Sequence, residues 1–372
     1  MSFTKWNFIM TVFGIFSFLF DIGVDLWISI KYFQQDFYLF GLLTIFFALV
    51  STLIVQVFSY SWFKDDEDSS VSMKYILTIH LFLAGTLLRY WYAVKHGYQA
   101  TYKPGRQNRE DIKRQAVYDM TDLSMLRCFK TYLESTPQII LQLYILIELG
   151  QITIFQYISI LVSVFSISWS TVDYQMSLRK SLPGKKGISL GFPLLSYTFY
   201  KFFTLTSWIV SIVFLLTCST YIFAGLVTLL GVAGFCWVWM QDTDFCRTKR
   251  MEVLYRAVVG IILIFTFFNV KGPKTRVPVS VYYAARVLST LGILTLCFYL
   301  RPAFARTLLF AVLSIATVVT LGVGILSLIL YYACFHPTLH NICESKGDTT
   351  DSGVYKDQTS GDESRIKKFI MP

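Results

Sequence analysis

Long apolar stretches separated by short polar segments dominate the pattern of the chain. An α-helix needs roughly twenty apolar residues to cross a bilayer, and most of these stretches reach or approach that length. Ten runs can be marked, at 7–30, 38–62, 75–94, 131–149, 152–172, 193–216, 220–240, 252–269, 279–299 and 306–332. The pattern predicts an all-α polytopic membrane protein.

The basic residues between the runs predict how the helices are threaded. They form four clusters, at 95–114, 179–186, 247–250 and 271–276. Lys and Arg favour the cytoplasmic side, and all four clusters reach that side only if the runs 75–94 and 252–269 enter and return on one side. We therefore expect about eight transmembrane helices plus two re-entrant or partially inserted helical segments, with both termini cytoplasmic. Arg301 and Arg306 are exceptions, because this topology places them outside.

The same topology divides the chain into two repeated halves and a tail. Each half reads span, span, re-entrant, span, span, an organisation familiar in proteins that move substrates across membranes. The predicted boundaries are 1–186 for the first membrane repeat with its basic loop, 187–340 for the second repeat and 341–372 for a cytoplasmic tail.

Composition agrees with a membrane protein and narrows the classes of function. Hydrophobic residues make up 55% of the chain and charged residues 15%, too few charges to cover a soluble protein of this length. The formal net charge is +10, but the basic residues lie in loops between apolar runs, so we expect no nucleic-acid partner. The seven cysteines lack metal-type spacing, and Cys128, Cys236 and Cys297 are expected to be buried free thiols.

Several ionisable side chains lie inside or beside the apolar runs. Asp21 and Asp25, in "FDIGVDLW", are one helical turn apart and share one side of the helix. The other members of this set are Arg89, Glu134, Asp173, Lys201, Arg256 and Arg286, together with the polar Gln138. For any single residue, a buried ion pair that fixes helix packing is the better interpretation. Their number in both halves nevertheless predicts a polar path through the protein.

A charged amphipathic segment leads into the fourth run. Residues 109–130 have the periodicity of a helix that starts near the cytoplasmic surface and continues inward as "LESTPQIILQLY". Pro137 predicts a kink or a break there. Ser135, Thr136 or Gln138 can then supply partners for the backbone groups that the proline frees.

The sequence contains no motif of an enzyme. HExxH, GxSxG and Walker patterns are missing, and the four histidines form no helical metal pair, since Pro337 separates His336 from His340. We therefore expect a protein that is not an enzyme, with no cofactor and no metal site.

Two of these stretches resemble the XK-related family of membrane proteins. "DIGVDLWISIKY", with Asp21, Asp25 and Trp27, is similar to the first helix of that family. "LESTPQIILQLY", with Glu134 and Pro137, is similar to its most recognisable motif. The resemblance covers essentially the whole chain and implies eight crossing helices with two partially inserted segments. It also implies a phospholipid scramblase of the plasma membrane.

In the caspase-activated branch of that family, cleavage of the carboxy-terminal tail switches on lipid movement and exposes phosphatidylserine on dying cells. The tail of this chain contains Asp348-Thr349-Thr350-Asp351 followed by Ser352, a pattern that fits executioner-caspase preference. The surrounding residues favour an accessible chain, although the same composition is typical of a solvated acidic linker. We expect cleavage after Asp351, with phospholipids and an executioner caspase as partners. The resemblance leaves room for an accessory membrane subunit.

Two other classes of protein also fit the residues. The runner-up is a secondary transporter of a small polar solute, because repeated halves, discontinuous segments and intramembrane acids suit it equally well. A third class is a membrane scaffold whose buried charges are purely structural. Saturable flux driven by an ion gradient would identify the transporter, and charge neutralisation that costs only stability would identify the scaffold.

Overall fold

The computed structural model describes residues 3–65, 72–102, 109–149, 154–181, 188–189, 191–270 and 276–335. Within these ranges, helices are the only regular secondary structure. In chain order they are α1 (Lys5–Gln34), α2 (Tyr38–Asp65), α3 (Met73–Leu81), α4 (Gly85–Tyr102), α5 (Arg109–Lys130), α6 (Thr136–Leu149), α7 (Ile154–Ser181), α8 (Phe192–Cys218), α9 (Thr220–Met240), α10 (Lys249–Phe265), α11 (Arg276–Leu300), α12 (Pro302–Ala305) and α13 (Leu308–Leu330). Two π-helical turns, Thr131–Ser135 and Tyr331–Phe335, join α5 to α6 and extend α13.

Six of these helices are long and apolar enough to cross a membrane. They are α1, α2, α8, α9, α11 and α13 with its π-helical turn. Large apolar side chains such as Phe20, Leu288 and Ile315 are exposed on them, as expected of surfaces that meet lipid tails. α8 is the most enclosed of the six and packs against α7, α11 and α13. The prediction of an all-α polytopic membrane protein is confirmed, and the total of about eight crossings stays a prediction.

The third apolar run is broken, as a re-entrant course requires. α3 ends at Leu81, α4 begins at Gly85, and between them Leu83 has a positive φ of 60°. The side chain of Gln56 closes this turn, because it donates to Leu83 O at 2.8 Å and accepts from Gly85 N at 3.1 Å. Gln56 lies nine residues before the end of α2 at Asp65, about 13 Å along the helix axis. The turn therefore lies about two helical turns inside the end of α2, which binds its non-helical backbone through Gln56, while the side chains of Leu81 and Phe82 are exposed.

The eighth apolar run is also interrupted. α10 is followed by Thr266, whose backbone is already extended at φ −147° and ψ 151°. Lys201 Nζ of α8 donates to Thr266 Oγ1 and to Phe267 O, both at 2.9 Å. Arg286 of α11 donates to Ile264 O. The carbonyl groups at a helix end carry partial negative charge, so Arg286 satisfies one of them, while Lys201 holds the extended backbone that follows. This ending agrees with a partially inserted segment.

The connections between helices lie in two groups, one at each end of the molecule. At one end, Lys180 in the last turn of α7 donates to Asn7 in the first turn of α1, at 3.1 Å. At the other end, Arg301 donates to Glu148 of α6 at 2.6 Å and to Thr217 O of α8 at 3.0 Å. The topology expected from charge puts the first pair of segments in the cytoplasm and the second group outside. This grouping agrees with the structure, and the side on which each end lies remains a prediction.

The burial of the cysteines differs from the prediction at one position. Cys128 and Cys297 are buried, as expected, but Cys236 is exposed. It lies on α9, which turns nearly all of its surface outward. An apolar run indicates insertion into the bilayer, whereas the face that packs against protein is decided by the neighbouring helices.

Candidate functional site along the first helix

One face of α1 carries a polar stripe. Its members Asn7, Gly14, Asp21, Asp25 and Ser29 follow at seven- and four-residue intervals, which place side chains on one side of a helix. From residue 7 to residue 25 the stripe covers about 27 Å, close to the roughly 30 Å of the hydrocarbon core. Side chains from α5 and α7 reach this stripe at three levels. We name these levels the polar ladder: Asn7 with Lys180; Arg127 with Asp173 beside Gly14; and Asp21, Asp25 and Glu134 with Lys130.

The first level lies near the start of α1. Lys180 Nζ donates to Asn7 Oδ1 at 3.1 Å. Among the ion pairs of the described residues, none includes Lys180. The Nδ2 group of Asn7 is buried, and no described residue accepts a hydrogen bond from it. This level therefore carries a positive charge and an unused donor.

The second level is formed by Arg127, which reaches α1 at Gly14. Arg127 Nη2 donates to Asp173 Oδ2 of α7 at 2.8 Å. A Cβ atom at Gly14 would lie 3.1 Å from Arg127 Nη1 and 3.2 Å from the ring of Tyr90, so the glycine makes room for both. Arg127 Nε and the Tyr90 hydroxyl are buried without a partner in the described part of the chain. This level also keeps donors unused.

The third level gathers three carboxylates around one ammonium group. Lys130 donates to Asp21 and to Glu134, the latter at 3.1 Å, and Ser51 of α2 donates to the other Glu134 oxygen. Carboxylate oxygens of Asp21, Asp25 and Glu134 all lie within 4.8 Å of one another. The Glu134 side chain is 2% exposed and that of Asp21 is 42% exposed. The cluster thus extends from the interior of the protein to its surface.

Three carboxylates at this distance offer the oxygen ligands that a divalent cation prefers. Lys130, however, already bridges Asp21 and Glu134, and Ser51 occupies a further Glu134 oxygen. A metal ion at this position would meet like-charge repulsion from the lysine. The arrangement is therefore better suited to balancing charge than to coordinating a metal.

A local irregularity of the backbone places Glu134 in this cluster. Pro137 lacks an N–H group, so the carbonyl four residues earlier loses its usual helical donor. The chain forms the π-helical turn Thr131–Ser135 at this point, and Thr136 Oγ1 donates to Thr131 O at 3.0 Å. Such turns are frequent at functional sites. The kink or break predicted at Pro137 takes the form of a π-helical turn that ends just before the proline, and the Thr136 hydroxyl binds Thr131 O rather than the carbonyl of Leu133 that the proline leaves without a donor.

Arg89 lies away from the ladder, in a buried ion pair with Asp122 at 2.9 Å. It also donates to the hydroxyl and the carbonyl of Ser59, each at 3.0 Å. His80 Nε2 lies 2.9 Å from the same Ser59 hydroxyl. These contacts connect α2, α3, α4 and α5. They match the structural interpretation of an intramembrane charge.

The charged residues predicted in the second half hold the two ends of α10. Arg286 donates to Ile264 O in the last turn of α10, and Lys201 binds Thr266 Oγ1 and Phe267 O just after the helix. Near its start, Arg256 donates to Thr243 O at 2.6 Å and lies 3.5 Å from Glu252. Glu252 accepts in turn from a backbone N–H group of the preceding loop at 2.7 Å. Backbone groups and side chains both supply these partners.

The residues predicted to line a polar path therefore divide into two groups. The structure places Asp21, Asp25, Glu134 and Asp173 on the polar ladder. It places Arg89, Lys201, Arg256 and Arg286 elsewhere. Gln138 lies one turn beyond Glu134, buried, with its Nε2 group lacking a partner among the described residues.

Sequence analysis missed five members of the site: Asn7, Ser51, Arg127, Lys130 and Lys180. Lys130 carried a signal, because it precedes Glu134 by four residues and such pairs meet on a helix surface. Ser51 and Asn7 carried none, since a single Ser or Asn in an apolar helix is common. The predicted cleavage residues Asp348, Asp351 and Ser352 lie outside the described residues.

Comparison with known proteins finds similarity over nearly the whole chain. The family model "XK-related protein" matches residues 9–337. XK-related protein 9 of Tetraodon nigroviridis is 35% identical over 388 aligned positions, covering 100% of both chains. XK-related protein 8 of Gasterosteus aculeatus is 31% identical, covering 91% of this chain and 86% of the relative. XK-related protein 8 of Tetraodon nigroviridis is 30% identical, with coverage of 90% and 84%.

Proposed function

The chain belongs to the XK-related family, and from this premise we propose that it is a phospholipid scramblase of the plasma membrane. The polar ladder supports this proposal most directly, because it follows α1 for about 27 Å, nearly the thickness of the hydrocarbon core. The proposal includes activation by caspase cleavage of the tail after Asp351, which exposes phosphatidylserine on apoptotic cells. Both termini then lie in the cytoplasm, where an executioner caspase reaches the tail.

The physical task of a scramblase is to lower the barrier for a headgroup in hydrocarbon. A headgroup that leaves water loses hydration and finds no partners for its charges in lipid tails. The ladder offers partners at successive depths, about 10 Å apart along α1 at the first two steps. The side chains of Asp21 and Arg127 are 42% and 33% exposed, so a headgroup can touch them from the side while its acyl chains stay in lipid. Such movement is downhill and needs no nucleotide.

The charges of the ladder complement the phosphate and the amine of a phospholipid headgroup. The first two levels present Lys180 and Arg127, and charged N–H donors bind phosphate well. The buried N–H groups of Asn7 and Arg127 that have no partner add to this capacity. The third level has three carboxyl side chains for one lysine, and their oxygen atoms can accept hydrogen bonds from the amine of a headgroup. A headgroup can therefore exchange partners rather than lose them.

The last described residues of the chain contact α8 in the second half. The π-helical turn Tyr331–Phe335 ends the described part of α13, and Tyr331 packs on Tyr197 of α8 with ring centroids 4.9 Å apart. One turn further along α8, Lys201 holds the end of α10. A change in the segment that leads to the tail would therefore reach α8 and α10 through Tyr331, and this route supports cleavage as the trigger.

The test uses purified full-length protein in liposomes that contain fluorescent lipid, with dithionite added to quench the outer leaflet. Quenching is compared before and after caspase-3 treatment, with Asp351→Ala as the uncleavable control. We expect quenching beyond the outer-leaflet fraction only after cleavage. Asp21→Asn tests the ladder, and Asp119→Asn is its matched control, because Asp119 pairs with His96 at 2.6 Å away from the ladder.

Complete cleavage without additional quenching would contradict a scramblase that acts alone. Recovery after reconstitution with a second membrane protein would then identify an accessory subunit. Solute flux driven by an ion gradient would instead support the secondary transporter. Equal quenching by wild type and Asp21→Asn, with intact folding of both, would show that lipid does not move along the ladder.

A further inference from the structure

Two cysteines on different helices meet at one end of the molecule. Cys218 is the last residue of α8, and Cys297 lies in the last turn of α11. Their Sγ atoms are 2.9 Å apart, although the residues are 79 positions apart in the sequence. Cys297 is buried and Cys218 is partly exposed. One member of the pair is therefore accessible to an exchange partner while the other is held against it.

The two helices that carry these thiols are held side by side along their length. Towards the other end of the same pair, the hydroxyl groups of Tyr200 and Tyr283 are 2.7 Å apart. Next to Cys218, Arg301 donates to Thr217 O at 3.0 Å and so holds the chain after α11 against α8. The two sulfur atoms are thus brought together by the packing of both helices rather than by a mobile loop.

The position of the pair also indicates its chemical surroundings. It lies at the end where Arg301 meets Glu148, the end that the charge pattern assigns to the outside of the cell. The corresponding compartment during biosynthesis is the lumen of the secretory pathway, which is oxidising, whereas cytosolic thiols stay reduced. A close thiol pair on that side meets the conditions for oxidation.

We propose that Cys218 and Cys297 form a disulfide bond that ties the outer end of α8 to α11. The oxidant is a disulfide-bearing oxidoreductase of the secretory pathway. The thiolate of Cys218 attacks one sulfur of that disulfide and releases its partner as a thiol. The thiolate of Cys297 then attacks Cys218 Sγ and releases the second thiol, so the two cysteines lose two protons and two electrons and the oxidant gains them.

The disulfide bond would restrain α8, the most enclosed of the six candidate membrane spans. α8 carries Lys201, which holds the end of α10, and Tyr197, which contacts the turn before the tail. A disulfide at Cys218 anchors the opposite end of this helix to α11. Movements that follow tail removal would then start at the Lys201 end, because the outer end is fixed.

The test is differential alkylation of the full-length protein. Cells that express it are dissolved directly in denaturant containing N-ethylmaleimide, then the protein is reduced and treated with a second alkylating reagent. Mass spectrometry should find the second reagent on Cys218 and Cys297. The exposed Cys236 and Cys334 should carry N-ethylmaleimide and serve as internal controls.

Single variants make the result specific to this pair. In Cys218→Ala, Cys297 should change to N-ethylmaleimide labelling, and in Cys297→Ala, Cys218 should do the same. A reducing agent should lower the Tm of the wild type by several degrees and leave that of Cys218→Ala unchanged, whereas Cys236→Ala should respond like the wild type. Direct N-ethylmaleimide labelling of both cysteines in the wild type would overturn the proposal, and so would a bond from either to another cysteine.

Discussion

Two regions of the protein, the polar ladder and the end of α10, treat buried charge in different ways. At the second and third levels of the polar ladder, charged side chains pair with other charged side chains, and Lys130 faces three carboxylates. At the end of α10, Lys201 and Arg286 bind backbone carbonyl groups and are themselves buried. Both sites follow an irregularity in a helix. Only the ladder has partly exposed members such as Asp21.

This difference shows that a charge within a membrane helix does not by itself mark a transport path. A cation on the C-terminal carbonyl groups of a helix satisfies them permanently, and moving it would leave them unpaired. The ladder, by contrast, has unused donors and an excess of carboxylates, so it can accept a visiting headgroup. We therefore expect changes at α10 to reduce stability and changes on the ladder to reduce transport.

The largest effect is expected from Lys201→Met. The substitution leaves Thr266 Oγ1 and Phe267 O without their donor in a buried site, which should cost about 3 kcal/mol of unfolding free energy. Thermal unfolding of the purified protein measures the loss. Lys31→Met is the matched control, because Lys31 is exposed on α1 and should give a nearly unchanged Tm. Normal stability together with lost lipid movement would contradict the distinction between a structural site at α10 and a transport site on the ladder.

The next effect is expected from Lys130→Met, which removes the one ammonium group among three carboxylates. Mutual repulsion of these groups should rearrange the third level and slow lipid movement per folded molecule by about tenfold, equivalent to about 1.4 kcal/mol. The dithionite assay on caspase-treated protein measures this rate. Adding Glu134→Gln to the variant should restore part of the rate, since one carboxylate is then neutral. A variant that loses stability but keeps its rate of lipid movement would show that Lys130, like Lys201, has a structural role.

A smaller effect is expected from Gly14→Val. Its Cβ would lie 3.1 Å from Arg127 Nη1, so the guanidinium group must withdraw from α1. The rate in the dithionite assay should fall a few-fold. Gly23→Val is the matched control, because it lies on the same helix and a Cβ there meets nothing within 4 Å. Equal effects of the two substitutions would indicate a general change in α1 rather than a blocked ladder.

The smallest effect is expected from Glu148→Gln. Its ion pair with Arg301 is partly exposed, with side-chain exposures of 33% and 41%, and such pairs contribute less than about 1 kcal/mol. Tm and the dithionite rate should both stay near the wild-type values. A strong loss of rate would show that this end of the molecule also takes part in lipid movement.

The course of the backbone could be predicted from sequence more completely than the partners of its charges. The interruption of the third run was predictable from the charges of the loops around it. The irregularity at Pro137 was predictable because proline lacks the N–H group that the helix needs. The exposure of Cys236 was not predictable from its apolar surroundings, since lipid and protein interior are both apolar. The contact of Ser51 with Glu134 also had no local signal, because it joins residues 83 positions apart.

The sequence by itself determined an all-helical membrane protein with acids on one side of its first helix. In hydrocarbon every backbone polar group needs an internal partner, and the 3.6-residue period puts Asp21 and Asp25 on one face. Only the tertiary structure decided that Lys130 meets Asp21, 109 positions away, and that Lys180 meets Asn7, 173 positions away. The reason is physical: which helix faces meet is decided by the packing of many side chains together, and no local pattern in the chain contains that information.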